Sequence, residues 1–205
     1  FNKNIWLDHY PYDLNPSFVN PKSGIVFNTN NKIVDQEFPK HLSFDWGDSQ
    51  RVIRIKNLLN KRQFHTINSF IEIQTDTVSI SARILLPLLA QNLWFNDTID
   101  TNNSNYDLQA KALQLLAEWN GDMTQNDAEP LIYSSWIKEF QKLILKDELG
   151  DFTTKLSTVR PLFLERVLRN KHGASIWCDI KQTAIKETCD DIALKSLNNS
   201  IIKLS

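Results

Sequence analysis

Glycine is scarce in this chain, with five in 205 residues, and so are cysteine, with two, and methionine, with one. A glycine-rich phosphate loop is missing, and so is a Gly-x-Ser-x-Gly nucleophile elbow. The four histidines, His9, His41, His65 and His172, are scattered, and none pairs with another histidine or a carboxylate at a helical ligand spacing. That argues against a zinc site. No apolar run approaches the length of a bilayer span. Lys and Arg number 23 against 24 Asp and Glu, the net charge is −1, and the two signs are interspersed without a long basic block. Binding to nucleic acid and polybasic attachment to a membrane are therefore disfavoured. Serine and histidine are both present, but nothing ties a particular pair into nucleophile and base. Taken alone, the residues show no complete catalytic apparatus.

What is present suits a helical protein. Apolar residues make up 41% of the chain, far above the disordered range and enough for one core, or for one domain with an arm. Few glycines alongside many Asn, Ile, Leu and Lys favour helices over a glycine-punctuated sheet. The chain begins at Phe1 with neither an initiator Met nor a signal peptide. This reads as a processed or shortened product, whose localisation has to come from another source.

Residues Phe1 to Asn20 lack a helical period and carry Pro11, Pro16 and the Tyr10-Pro11-Tyr12 triplet, the pattern of an extended arm. In Asn20-Pro-Lys-Ser-Gly-Ile-Val-Phe-Asn-Thr-Asn-Asn31, Pro21 fixes φ and Gly24 permits positive φ, a turn entering a strand over Ile25 to Phe27. Asn28, Asn30 and Asn31 then turn the chain. This is either an ordinary Asn-rich turn or a device that aims one amide into a site. From Lys32 to Asp48 the chain is irregular, with Phe38-Pro39 and Phe44-Asp45-Trp46-Gly47 as aromatic anchors.

Helix is expected from Asp48 or Ser49, with Val52, Ile55, Leu58 and Leu59 on its apolar side. A second helix is capped by Thr66, and a third opens at Asp76 or Thr77 and is kinked or shortened at Pro87. Asn92 to Asn105 is polar and reads as an exposed loop. Tyr106 to Trp119 restores the helical period and stops at Asn120-Gly121. Asp127 is the expected cap of a long helix running to Gly150. Helices over Pro161 to Asn170 and Thr183 to Leu204 complete about seven. In the last, Ile185, Cys189, Ile192, Leu197, Ile201 and Leu204 form a stripe that should dock on the others. Cys178 and Cys189 flank the linker into that helix. They are either two buried thiols or, in an oxidising compartment, a staple worth about 3 kcal/mol.

The order of motifs resembles the penicillin acylase (penicillin amidase) family of N-terminal-nucleophile hydrolases, in a middle segment of its second chain. The landmarks are Asn20-Pro-x-Ser-Gly leading to Asn28-x-Asn30-Asn31, Phe44-Asp45-Trp46, Arg51-Val-Ile-Arg54-Ile and Ile73-Gln-Thr-Asp76. Leu85-Leu-Pro87, Leu116-Ala-Glu-Trp119-Asn-Gly121-Asp-Met, Trp177-Cys178-Asp179 and Glu187-Thr-Cys189 follow. Each is short, but together they run in order across almost the whole chain.

The resemblance implies a mainly α chain with a short β arm (α+β), a fragment of the αββα N-terminal-nucleophile hydrolase architecture. Residues 1–31 would be an arm and strand of the hydrolase sheet, and residues 32–205 its helical insertion. It implies hydrolysis of the amide of N-acyl compounds, of the β-lactam or acyl-homoserine lactone type. The nucleophile is an N-terminal Ser, freed by self-processing and absent from this chain. Asn30 matches the family's oxyanion-hole asparagine, Arg51 an arginine supporting the active site, and Arg54 reads as structural. Asn28 and Asn31 are expected to hold the turn. No catalytic cofactor is implied. A structural calcium is, in the complete enzyme; Asp45 lies near the segment that supplies a carboxylate in the family, and no ligand is assignable. The resemblance also favours a Cys178–Cys189 disulfide and a periplasmic or secreted location. The remainder of its own precursor would be the partner, with no nucleic acid and no membrane. The alternative is a helical interaction module without catalysis of its own.

Overall fold

The computed structural model describes residues 8–34, 41–44, 46–94, 106–156 and 158–205. The start of the arm, Phe38-Pro39, Asp45 and residues 95–105 of the polar loop lie outside the described residues. The chain divides into two units, Phe1–Val52 and Ile53–Ser205.

In the first unit the described part of the arm forms one 3₁₀ turn, Tyr12–Leu14, which follows Pro11, and is otherwise irregular. The strand expected over Ile25 to Phe27 does not form; those residues carry no regular secondary structure and no ladder. A strand needs a neighbour for its N–H and C=O groups. Among the described residues of this unit the pairing is a single parallel bridge, Asn31 with Gly47.

The unit boundary falls inside α1 (Gln50–Leu59), which opens directly after the expected cap residues Asp48 and Ser49. The second unit continues with α2 (Ile67–Gln74), α3 (Ile80–Ala90), α4 (Tyr106–Glu118), α5 (Glu129–Leu149), α6 (Pro161–Leu168) and α7 (Cys189–Leu204). Two 3₁₀ segments, Gly150–Lys155 and Lys171–Cys178, join α5 to α6 and α6 to the approach to α7.

The long helix α5 is the axis of the core. Trp136, Phe140 and Ile144 recur at four-residue spacing, so one stripe of the helix is fully buried. Around it pack Leu85 and Leu89 of α3, Leu113 and Leu116 of α4, Leu164 and Val167 of α6, and Ile192, Leu197 and Ile201 of α7. The α5–α7 contact is close because α7 places Ala193, Ser196 and Ser200 on the same side as its large residues. The buried Trp136 indole N–H donates to the Ala193 carbonyl at 2.9 Å and to Ser196 Oγ at 3.0 Å. The hydroxyls of Ser196 and Ser200 donate to the carbonyls of Ala193 and Leu197, each at 2.8 Å, so neither buried donor is idle. Truncating Leu164 or Leu197 to Ala would cost about 2–5 kcal/mol.

Three helix boundaries differ from expectation, each through a contact distant in sequence or in the wrong register for a cap. Helix α3 starts at Ile80, not at Asp76 or Thr77, because Val78 bridges Asp122 and Thr77 accepts from the Met123 N–H at 3.1 Å. Ser79 is the cap, accepting from the Ala82 N–H at 3.1 Å. The helix then runs through Pro87 to Ala90, with Leu85, Leu86, Leu89 and Ala90 buried on both sides of the proline. Asp127 does not cap α5: its carboxylate accepts from the Thr124 hydroxyl, and Ala128 precedes the helix without a side-chain cap. Helix α7 begins at Cys189 rather than Thr183, behind a capping box in which Thr188 and Asp191 satisfy each other's backbone N–H groups. Residues 179–187 instead wrap around carboxylates. Glu187 accepts from the Ile180 N–H at 3.1 Å and Asp147 from the Lys181 N–H at 3.0 Å.

Cys178 and Cys189 are joined by a disulfide with Cα atoms 5.0 Å apart, closing an 11-residue separation onto the first residue of α7. A loop of that size contributes about 3 kcal/mol by restricting the unfolded chain. No helix among the described residues is long and apolar enough to cross a membrane.

Candidate functional site

The Asn-rich turn is built from its own side chains. A turn closes with Gly24 N–H on the Pro21 carbonyl at 2.8 Å, and Gly24 takes φ +67°. Asn28 Oδ1 then accepts from the Asn30 N–H at 2.7 Å, an Asx turn that positions the backbone of Asn30. Asn31 Oδ1 accepts from both the N–H and the hydroxyl of Thr29 at 3.2 Å, and Asn31 Nδ2 donates to the Lys32 carbonyl at 2.8 Å. Thr29 is buried beneath the turn. Asn28 and Asn31 are thus committed to holding the chain.

Asn30 is different. It occupies the left-handed region at φ +64°, which asparagine tolerates better than most residues but which costs conformational energy outside glycine. Its side chain is exposed and hydrogen-bonds to no described residue. Its carbonyl accepts from the Gly47 N–H at 2.8 Å. A Cβ on Gly47 would lie 2.9 Å from that carbonyl oxygen and 3.3 Å from its carbon, so the approach requires glycine. The result is an amide on a backbone fixed from both sides, with its donor hydrogens still available.

Gly47 lies just ahead of α1, whose second residue is Arg51. The Asn31–Gly47 bridge therefore ties the Asn turn to the segment that leads into Arg51. Arg51 is exposed on the first turn of the helix. In the second unit Arg54 forms a bidentate pair with Asp76, Nε to Oδ2 at 2.8 Å and an Nη to Oδ1 at 2.5 Å. The side chains are 17% and 15% exposed. The hydrogen bonds to Arg54 hold the Asp76 carboxyl below the usual carboxylate range, and Asp76 raises the guanidinium in return. The partner of Arg54 lies 22 residues away and follows no helical spacing, so no local pattern in the sequence reveals the pair. Gly47 was missed, because the need for glycine arises from a contact across the turn. Among the described residues no three His, Cys, Asp or Glu side chains converge on a metal position.

An uncharged amide on a constrained turn is the kind of donor that stabilises an oxyanion. The penicillin amidase family model matches residues 2–205, and the chain belongs to that family. Among characterised proteins it is similar to penicillin G acylase of Escherichia coli, with 26% identity over 126 residues, covering 60% of this chain and 14% of that protein. It is also similar to the acyl-homoserine lactone acylase QuiP of Pseudomonas aeruginosa, with 25% identity over 155 residues, 71% of this chain and 18% of that protein. QuiP of Pseudomonas syringae pv. tomato is 24% identical over 164 residues, 73% of this chain and 19% of that protein. The chain spans less than a fifth of the length of these curated relatives.

Proposed function

We propose that this chain is part of an acylase that hydrolyses the amide of N-acyl compounds, of the β-lactam or acyl-homoserine lactone type, and that Asn30 supplies an oxyanion-hole donor. The observation that carries the reading is the state of Asn30: fixed in the left-handed region by Asn28 and Gly47, with its side-chain amide free of described partners. A neutral amide stabilises charge on the tetrahedral oxygen without competing as a nucleophile. One such donor is worth about 3–4 kcal/mol in the transition state. Arg51, on the helix that follows Gly47, would support the surroundings of the reacting groups.

The nucleophile in this reading is an N-terminal Ser on a segment outside this chain, with its own α-amino group as base. Residues 25–27 would then join the hydrolase sheet, gaining the ladder partners they lack here, and the helices would form the family's helical insertion. The partner is the remainder of the same precursor. The Cys178–Cys189 bond supports a periplasmic or secreted setting, since such bonds persist in oxidising compartments. A structural calcium belongs to the complete enzyme, and no ligand for it is assigned to these residues.

The test is to determine the mature N-termini by mass spectrometry and to assay the whole protein on an acylated β-lactam and an acyl-homoserine lactone. The expected result is a chain starting with Ser, released by self-processing, together with turnover of at least one substrate. A mature protein with no such chain and no amide hydrolysis overturns the reading and leaves a helical interaction module.

A further inference from the structure

We propose that the outward face of α2 is an internal docking surface, covered in the complete protein by a segment of the same precursor outside residues 1–205. It rests on that part of the acylase reading which makes this chain one piece of a larger molecule.

Helix α2 has its polar and apolar sides reversed for a helix facing water. Its one buried residue is Ser69, whereas Ile67 is 81% exposed and Phe70 and Ile71 are each 53% exposed. Those three stand at i, i+3 and i+4, so they form one stripe. Phe64, two residues ahead of the Thr66 cap, is 86% exposed. A bare aromatic side chain offers about 150–250 Å². The four together therefore pass the few hundred Å² of apolar surface that a monomer ordinarily leaves open in one patch. Neither α1 nor α2 contributes a large apolar side chain to the buried core.

The stripe is held outward by its surroundings. The Ser69 N–H donates to Thr66 Oγ1 at 3.2 Å, and the Thr66 N–H donates to Ser69 Oγ at 2.9 Å. His65 Nε2 donates to the Leu59 carbonyl at 2.9 Å, and its ring packs on Phe70 with centroids 5.1 Å apart. Beyond the far end of the helix, Asp76 is paired with Arg54. Rolling the stripe inward would break the capping box and expel Ser69, so the apolar face is a fixed feature of this part of the fold.

Charge argues for a protein partner. Between Asn60 and Gln74 the charged residues are Lys61, Arg62 and Glu72, and Arg62 pairs with Glu72 at 2.6 Å. Gln63, Asn68 and Gln74 are neutral and exposed. A helix lying on a lipid surface carries a strongly charged, Lys- and Arg-rich polar face, which is missing here. A large apolar patch poor in charge is instead the mark of a permanent interface. The same precursor is the favoured source, because the matched region makes up 14–19% of the curated relatives. A segment of the same polypeptide is also present at high effective concentration, unlike a second copy.

The test places the photoreactive p-benzoylphenylalanine at Phe64 or, in a separate variant, at Ile67 of the complete mature protein. Mass spectrometry after illumination identifies the captured peptide, and amide hydrolysis is assayed on the same samples. The expected capture is a peptide from outside residues 1–205 of the same molecule, in a yield that does not change over a hundredfold dilution. The double change Ile67→Ala with Ile71→Ala is expected to lower the melting temperature by about 2 °C or more, as for buried rather than water-facing side chains. An active enzyme in which neither position captures such a peptide overturns the inference and leaves the acylase reading standing. Dilution-dependent capture of a second copy, or capture of lipid, overturns it too. Capture of the expected peptide in a protein that hydrolyses no amide supports the docking surface and counts against the acylase reading alone.

Discussion

Gly47→Ala is the most informative small change, because it adds one methyl group against the carbonyl of the proposed donor residue. The added carbon would start 2.9 Å from the Asn30 oxygen, whereas ordinary carbon–oxygen contacts begin near about 3.3–3.6 Å. The Asn30 backbone must therefore move by about 0.4–0.7 Å, stretching the Gly47 N–H bond that now holds it. A misplacement of 1 Å at a catalytic group can cost about a hundredfold in rate. A shift of about half that size should lower kcat by on the order of tenfold, equivalent to about 1.4 kcal/mol in the barrier. The assay is kcat and KM on an N-acyl amide with the complete enzyme, alongside thermal unfolding to show that the fold persists. The effect should fall on kcat and should vanish in an Asn30→Ala background, where no donor remains to be displaced. Wild-type kcat in a folded Gly47→Ala enzyme, or a full further loss in the Asn30→Ala background, would refute the link between this contact and the donor.

Asp76→Asn removes the charge that partners Arg54, and with both side chains largely buried it should destabilise by about 3 kcal/mol, read as a lower denaturant midpoint. Because the folded-state pKa of Asp76 is lowered, the pair's stabilisation is present above the ordinary value of 3.8 and is lost as pH falls below it. The stability gap between wild type and Asp76→Asn should accordingly close in acid; a gap unchanged between neutral pH and strong acid contradicts the ion-pair account. Replacing Cys178 and Cys189 together by Ser should cost about 3 kcal/mol, and free-thiol counting on the unreduced wild type should find no reactive thiol. Trp136→Phe removes the N–H donor shared by Ala193 and Ser196 together with part of a fully buried ring, and should cost about 2–5 kcal/mol in chemical denaturation; a neutral result would show that α7 docks without that anchor.

The helices most legible in the sequence are those whose signals are local. Thr66 caps α2 as expected, and α4 ends just before Gly121, which takes φ +84°. The starts of α3 and α7 were misplaced because Thr77 and Val78 are claimed by Asp122 and Met123, and residues 180–187 by side-chain carboxylates. Neither competitor leaves a periodic trace. The stretch Ile25 to Phe27 has β-forming residues but no ladder neighbour among the described residues, so propensity alone does not produce a strand. At the site, the turn chemistry of Asn28, Asn30 and Asn31 was visible as composition, whereas choosing Asn30 among them rested on family resemblance. The structure adds a physical distinction: Asn28 and Asn31 spend their side chains on the turn, and Asn30 does not.

The central claim is that the free amide of Asn30 binds the oxyanion, and Asn30→Ala in the complete, self-processed enzyme tests it most directly. Turnover of an N-acyl amide is expected to fall by about a hundredfold to a thousandfold, with KM, self-processing and thermal stability close to wild type. Wild-type turnover in that variant would remove Asn30 from the oxyanion hole and contradict the account.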